Sequence, residues 1–435
     1  MSVIGCGHLG ATHAAAMAEI GHDVVGVDVD PEKVAALNSK RAWFHEPGLD
    51  DLLARHVGGR LRFTTDIAAA AAYADMHFLG VGTPGGAGGG GYDLSQVFAA
   101  AEALAPHLAG PCVVVGKSTV SVGTTSAVRE RMQALAPAGA AVEVAWSPEF
   151  LREGHAVADT LRPDRIVVGV LPGGQAEARI RAAFAPLARE GVPLFVTDPA
   201  TVELVKGAAN AFLAMKISFI NAVADLCEAV GADAATVADA IGCDPRIGRA
   251  MLTPGLGYGG GCLPKDIRAF TARAQELGIG KSFGFLQCVD EVNQARRSRV
   301  VKLAHRVLGG EMTGRRVGMW GAAFKPGTDD IRDSPALDVA DRLCRAGAMV
   351  RVFDPMAGAN AREVHPDLDH VGTALDAVRG AHLVVLATEW PEFCEADPGE
   401  VGKVAEDRVL IDARNAVDAE RWRAAGWRVH RMGQG

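Results

Sequence analysis

Met1-Ser2-Val3-Ile4-Gly5-Cys6-Gly7-His8-Leu9-Gly10 opens the chain and decides how its first part is read. Three glycines in the spacing GxGxxG follow a short apolar run and lead into a helical pattern from Ala11 to Ile20. A strand-like run from Asp23 to Val27 comes next and ends on Asp28. In a chain with 52 glycines the spacing alone says little, but an acidic residue 18 positions after Gly10 gives it a setting. Glycines permit the tight turn and the approach of a pyrophosphate to a helix N-terminus, and a carboxylate after the second strand suits ribose hydroxyls. Asp28 would also repel a 2′-phosphate, so the reading is NAD rather than NADP; a purely structural glycine turn is the bland alternative. Only Met1 to Ile4 remain for the first strand, which is expected to be short or to lack a residue or two in this numbering.

Further strand–helix units follow. Asp75 to Val81 reads as a buried strand ending in Gly82-Thr83-Pro84, and Cys112 to Gly116 as another ending in Lys117-Ser118-Thr119. Hydroxyl residues thus fall at carboxyl ends of strands, where open parallel sheets bind ligands. The run Gly85 to Gly91 is expected to be a mobile loop. Val142 to Ala145 leads to Ser147-Pro148-Glu149-Phe150-Leu151-Arg152-Glu153-Gly154, which sets two carboxylates four residues apart. Either they serve a site or they are a solvated pair. Asp164 to Gly169 and Leu194 to Val196 read as the last strands of a first domain over 1–198.

The composition bounds what such a chain can be. With 435 residues, two to three domains are expected. Hydrophobic residues at 49% and charged ones at 22% describe a globular chain, and a net charge of −8 argues against a nucleic-acid surface. No run approaches the ~20 apolar residues of a membrane span. The glycine motif begins too early to leave room for a signal peptide, so a cytoplasmic location is expected. Eight scattered cysteines form no CxxC pair, and thirteen histidines form no convincing ligand pair. Neither a disulfide framework nor a catalytic metal is signalled.

From about Thr201 the period changes. Val202, Val205, Ala209, Phe212, Leu213, Ile217, Ile220, Val223, Ala224, Leu226 and Cys227 recur at helical spacing. A helix of about 28 residues, roughly 40 Å long, is expected, long enough to run between domains. Lys206 and Asn210 fall one turn apart on one face, amid small and apolar residues. They suit a shared pocket, although a lysine on a helix more often points to water. More helices follow to about Leu308, giving a middle region over 199–308.

Within it stands Gly257-Tyr258-Gly259-Gly260-Gly261-Cys262-Leu263-Pro264-Lys265-Asp266. Pro264 suits the first turn of a helix. Cys262 would then lie at the positive end, with Lys265 nearby, and both favour the thiolate. The glycines would let backbone approach a ligand, and Asp266 projects on a similar side of the first turn. The alternative is a small buried hydrophobe. After Gly314 a second alternation begins with Val317 to Trp320, and continues with Val350 to Phe353, Leu383 to Ala387, Val409 to Ile411 and Arg428 to His430. This is the sign of a second parallel sheet over 313–435. Lys325, Arg332 and Arg414 are candidate phosphate or base contacts there.

The chain resembles the UDP-glucose/GDP-mannose 6-dehydrogenases over nearly its whole length. Besides the glycine motif, the likeness rests on Glu46-Pro47-Gly48-Leu49, Val81-Gly82-Thr83-Pro84, Lys117-Ser118-Thr119, Pro148-Glu149-Phe150-Leu151, Lys206 to Leu213, Gly259 to Asp266, Phe324-Lys325-Pro326, Thr388-Glu389-Trp390 and Arg414-Asn415. The resemblance implies an α/β protein with two Rossmann-like parallel-sheet domains joined by a long central helix and a helical dimerisation region. It implies NAD as cofactor, a nucleotide sugar as substrate, a homodimer, and two successive oxidations of the sugar C6 alcohol to a carboxylate.

Carried over by position, Cys262 is similar to the family's nucleophile, while Lys206 and Asp266 resemble the residues that manage the proton of the first oxidation through a water. Asn210 with Lys206 would face the oxyanion. Glu149 would help water attack a thioester; Thr119 and Glu153 fall at active-site positions beside the cofactor. Gly5, Gly7, His8, Leu9, Gly10, Asp28, Lys33, Thr83, Lys265 and Arg332 resemble NAD contacts. Phe150, Leu151, Arg246, Tyr258, Gly259, Lys325 and Arg414 resemble contacts to the nucleotide sugar, with Arg246 reaching across a dimer.

The chain departs from the family's common wording at Gly261 (often Ser), Gly207 (often aromatic), Ser147 (often Asn) and Ala413 (often Gly). UDP-glucose is the expected substrate; TDP-glucose, GDP-mannose and UDP-N-acetylhexosamines are the alternatives for the same chemistry. A two-electron hydroxyacid dehydrogenase and a catalytically silent nucleotide-sugar sensor are the competing classes. The first gives no role to Cys262, and the intact Cys262, Lys206, Asn210 and Asp266 argue against the second.

Overall fold

The computed structural model describes residues 1–86 and 90–434; residues 87–89 of the glycine run expected to be mobile, and residue 435, lie outside the described residues. The chain divides into two compact units, Met1–Ala209 with Arg268–Leu277, and Asn210–Ile267 with Gly278–Gly435.

The first unit is built on an eight-stranded sheet. Its strands are β1 (Ser2–Ile4), β2 (Val24–Val27), β3 (Leu61–Thr64), β4 (Met76–Leu79), β5 (Cys112–Gly116), β6 (Val142–Trp146), β7 (Ile166–Gly169) and β8 (Leu194–Thr197), in the order β3-β2-β1-β4-β5-β6-β7-β8. Neighbours run parallel except β6 and β7, which meet antiparallel with Trp146 opposite Gly169. Because helices cover both faces, β5 and β7 read as continuous buried apolar runs, and β4 is buried throughout with His77 inside it. The short β1 lies between β2 and β4, where the strand order reverses. That reversal is the switch point at which open α/β sheets take ligands. The strand β3 was not expected from sequence. It alternates a buried Leu61, an exposed Arg62 and a buried Phe63, so it lacks the apolar run that marks the central strands.

The second unit carries six parallel strands: β9 (Arg316–Trp320), β10 (Met349–Phe353), β11 (Asp369–His370), β12 (Leu383–Leu386), β13 (Val409–Asp412) and β14 (Arg428–Arg431). Their order is β11-β10-β9-β12-β13-β14, again reversing beside the first strand of the series. Trp320, Phe393 and Trp422 anchor its core, with the Trp320 and Phe393 rings stacked at 5.4 Å. A parallel sheet was expected here, and the fold is α/β with two such sheets and a long helix.

That helix spans Pro199–Val230, 32 residues, a few longer than its periodicity suggested. Its apolar residues do not all face inward: Phe212, Phe219, Leu226 and Val230 are each more than half exposed. Helices Ala234–Gly242, Leu263–Glu276 and Gly284–Val307 follow. Among the described residues no helix is long and apolar enough to cross a membrane.

Candidate active site

At the switch point of the first unit, Gly5 holds φ +89, in the left-handed region that favours glycine. A Cβ on Gly10 would stand 1.7 Å from the Gly5 carbonyl oxygen, so only glycine lets the helix His8–Glu19 start this close to β1. At Gly7, by contrast, a Cβ would meet no atom of the protein within 4 Å. The turn is closed where it packs and open where a diphosphate would approach. Asp28, buried just beyond β2, accepts the Cys6 N–H at 2.7 Å and the Asp30 N–H at 3.0 Å. These residues fit an NAD: open backbone at the helix start and a fixed carboxylate one strand away. Lys33 sits over the Trp43 ring at 4.6 Å and 3.8 Å from Asp30. The His8 ring packs on Phe44 at 4.0 Å. Thr83 is buried after β4. Burial pushes the Cys6 thiol far up, which leaves it a packing group.

The ends of β5 and β6 gather a second group in the same unit. Ser118 Oγ donates to the Val81 carbonyl at 2.6 Å, and Trp146 Nε1 donates to the Ser118 carbonyl at 2.8 Å. Thr119 follows, buried. Lys206 Nζ lies 3.5 Å from Glu149 Oε1 and 5.4 Å from the centre of the Phe150 ring. Lys206 is 4% exposed, so the reading of a water-facing lysine does not hold. The other Glu149 oxygen accepts the Leu151 N–H, and Glu153 is half-buried, so neither carboxylate is an ordinary solvated surface group.

Three residues in this unit escaped the sequence reading of the site. Lys117 is buried; burial brings its ammonium down to about 8, Glu149 opposing that shift and Lys206 adding to it. Glu203, one turn before Lys206, accepts the N–H groups of Gly123 and Thr125 and the Thr125 hydroxyl at 2.6–2.7 Å. It locks the helix bearing Lys206 to the segment that follows Thr119. Glu46 accepts the N–H groups of Gly154 and Ala156. For Lys117 and Glu46 only family-like wording could have flagged them; Glu203 stood in no motif.

In the second unit Cys262 immediately precedes the helix Leu263–Glu276, and its carbonyl accepts the Asp266 N–H at 2.9 Å. The helix begins where Pro264 suggested, and the thiol is partly exposed rather than packed in a core. Asp266 is fully buried; Asn210 Nδ2 donates to its Oδ2 at 2.5 Å and Lys265 Nζ to its Oδ1 at 2.7 Å. The glycines ahead of Cys262 have a use the sequence did not reveal. A Cβ would stand 2.3 Å from the Asp333 carbonyl at Gly259, 2.7 Å from the Phe324 ring at Gly260 and 2.4 Å from Arg332 Cζ at Gly261. They let this loop lie flat on the connection that follows β9.

Two candidate nucleotide-sugar residues of this unit, Tyr258 and Arg414, are held through backbone groups. Asn293 clamps Tyr258 by accepting its N–H at 2.8 Å and donating to its carbonyl at 2.9 Å. Arg414 donates to the carbonyls of Ala387, Gly257 and Phe324 at 2.7, 2.9 and 3.1 Å. It thereby joins the Cys262 loop to the segment carrying Lys325. Arg332 forks onto Asp330 at 2.7–2.9 Å. Arg246 stands exposed beside Asp244.

Three family models match the chain in succession: the NAD binding domain of the UDP-glucose/GDP-mannose dehydrogenase family over residues 1–188, its central domain over 200–295 and its UDP binding domain over 318–419. The chain belongs to the UDP-glucose/GDP-mannose dehydrogenase family. It is 42% identical over 437 residues to the UDP-glucose 6-dehydrogenase of Rhizobium meliloti, covering 100% of this chain and 99% of that one. It is 42% identical over 425 residues to the UDP-glucose 6-dehydrogenase of Haloferax volcanii, covering 96% and 97%. The solved UDP-glucose dehydrogenase of Pyrobaculum islandicum superposes with a TM-score of 0.89 at 38% identity, over 98% of this chain and 97% of that one. Membership makes this family protein an NAD-dependent nucleotide-sugar dehydrogenase, with NAD bound by the first domain and the nucleotide by the third.

Proposed function

We propose that the protein oxidises the C6 alcohol of UDP-glucose to the carboxylate of UDP-glucuronate, using NAD and a covalent stage on Cys262. The observation that carries this reading is the set around Asp266: a cysteine at a helix start, with a buried carboxylate one turn on that holds Asn210 and Lys265. The names of the most similar relatives support UDP-glucose as the sugar.

NAD, when bound, takes a hydride from carbon in each of two oxidations. The chain supplies the rest. In the first stage the alcohol loses its proton to Lys206 and Asp266 through a water, leaving an aldehyde. The Cys262 thiolate then adds to the aldehyde carbon, forming a C–S bond and an alkoxide that Lys206 and Asn210 face. Two donors aimed at such an alkoxide are worth roughly 3 to 4 kcal/mol each. Loss of the second hydride gives a thioester on Cys262. Water attacks it with help from Glu149, the C–S bond breaks, and the thiol and the carboxylate are released. Thr119 and Glu153 stand beside the cofactor. Gly5, Gly7, His8, Leu9, Gly10, Asp28, Lys33, Thr83, Lys265 and Arg332 hold NAD; Phe150, Leu151, Tyr258, Gly259, Lys325 and Arg414 hold the nucleotide sugar.

The same reading divides the chain into an NAD-binding domain over 1–198, a helical dimerisation region over 199–308 and a nucleotide-sugar domain over 313–435. The exposed stripe of Phe212, Phe219, Leu226 and Val230 supports a homodimer through the long helix, with Arg246 reaching the partner's nucleotide. Turnover measured on UDP-glucose, TDP-glucose, GDP-mannose and UDP-N-acetylglucosamine tests the sugar. UDP-glucose is expected to give the highest kcat/KM, and a higher value with any other would replace it.

A further inference from the structure

Glu46 is 7% exposed and stands 108 residues from the segment it holds. Its Oε2 accepts the Gly154 N–H at 2.8 Å, and its Oε1 accepts the Ala156 N–H at 2.7 Å. Gly154 has φ +79, a sharp reversal that only glycine makes without strain, and Ala156 opens the helix Ala156–Leu161. A carboxylate that accepts two backbone N–H groups makes strong, charge-assisted bonds, so this reversal is fixed from outside its own segment. Directly ahead of it come Glu149 and Glu153.

The stretch that carries Glu46 is itself tied to the glycine-rich turn. Trp43 Nε1 donates to the Cys6 carbonyl at 3.3 Å, and Phe44 packs on the His8 ring. On the other side, the Leu49 N–H donates to the Glu46 carbonyl at 3.1 Å, and Leu49, Leu52 and Leu53 are buried. Residues 43–49 therefore connect the dinucleotide turn to the loop of the two glutamates, all within the first unit.

Resting on the function proposed above, we infer that Glu46 is a positioning residue, which fixes the Glu149–Glu153 loop for the sugar and ties its order to occupation of the NAD turn. Glu46 touches neither substrate nor cofactor in this scheme; it acts through Gly154 and Ala156. Glu46→Gln turns one acceptor oxygen into an amide NH₂ that faces a backbone N–H, while keeping the volume.

The test compares Glu46→Gln with Ile180→Ala, a core truncation on the helix Ala176–Ala183, outside both the 43–49 stretch and the loop of the two glutamates. Glu46→Gln is expected to raise the KM for UDP-glucose roughly tenfold or more, since misplacing a site by about an ångström costs up to about a hundredfold. Ile180→Ala is expected to lower the melting temperature yet leave KM within about twofold. Equal KM effects from both variants, or an unchanged KM in Glu46→Gln, would overturn the inference. Should Glu46→Gln fail to fold, amide hydrogen exchange of the native protein decides: Gly154 and Ala156 are expected to gain protection when NAD alone is added, and unchanged protection would overturn it. A native protein that does not turn over UDP-glucose would instead remove the underlying function, a result independent of the exchange data.

Discussion

Asn210 Nδ2 donates to Asp266 Oδ2 at 2.5 Å, bringing together two residues 56 positions apart, and Asp266 is wholly buried where they meet. A buried carboxylate needs its donors, and this one has an amide and, through Lys265, an ammonium. Asn210→Ala removes one of them. Turnover is expected to fall about a hundred- to a thousandfold, as for loss of an oxyanion donor. Stability should fall by about 1–3 kcal/mol. NADH formation and urea unfolding check the two numbers; activity within threefold of native would remove Asn210 from the chemistry.

Gly261→Ser tests how the thiol loop meets Arg332. The new Cβ would lie 2.4 Å from Arg332 Cζ, so the guanidinium must leave its seat while its flexible stem absorbs the change. Because that guanidinium forks onto the buried Asp330, melting is expected to shift by the equivalent of about 1–3 kcal/mol. The KM for NAD is expected to rise threefold or more, because Arg332 is assigned to the cofactor. An unchanged KM for NAD would take Arg332 out of that role.

His77 contributes, with the buried His13, to the pH dependence of stability. Burial brings its imidazole from 6.5 down to about 4, and Ser2 Oγ lies 2.7 Å from its Nδ1. Between those pH values the unfolded chain binds a proton that the fold excludes, so the contribution is lost as pH falls from 6.5 towards 4. At about 1.4 kcal/mol per pH unit, up to about 3 kcal/mol is involved. His77→Gln should flatten that limb of a plot of unfolding free energy against pH; superimposable limbs would contradict the assignment.

Phe219→Glu places a charge in the exposed stripe of the long helix. If that stripe is the dimer seam, light scattering should show the native protein as a dimer and the variant as a monomer. A native monomer, or a variant still dimeric at micromolar concentration, would exclude it.

Much of the fold was legible because its signals are local. The spacing Gly5 to Gly10, the run Cys112–Gly116 and the strands of the second sheet announce themselves within a few residues each. The strand Leu61–Thr64 was not, since Arg62 interrupts its apolar character, and Asp369–His370 is too short to show a period. In the site, Cys262 at a helix start and the buried Lys206 and Asn210 could be read from their neighbours. The hold of Glu46 on Gly154, of Glu203 on Thr125 and of Arg414 on three carbonyls could not, because each joins segments 78 to 157 residues apart or gathers several at once. The glycines before Cys262 were read as room for a ligand; they also make room for Phe324, Arg332 and Asp333.

The covalent role of Cys262 is tested most directly by counting the NADH released per UDP-glucose consumed, in the native protein and in Cys262→Ser. Two per sugar are expected from the native protein, with UDP-glucuronate as product, and the variant should make little or none of the acid. One NADH per sugar from the native protein, or undiminished acid formation by Cys262→Ser, would contradict it.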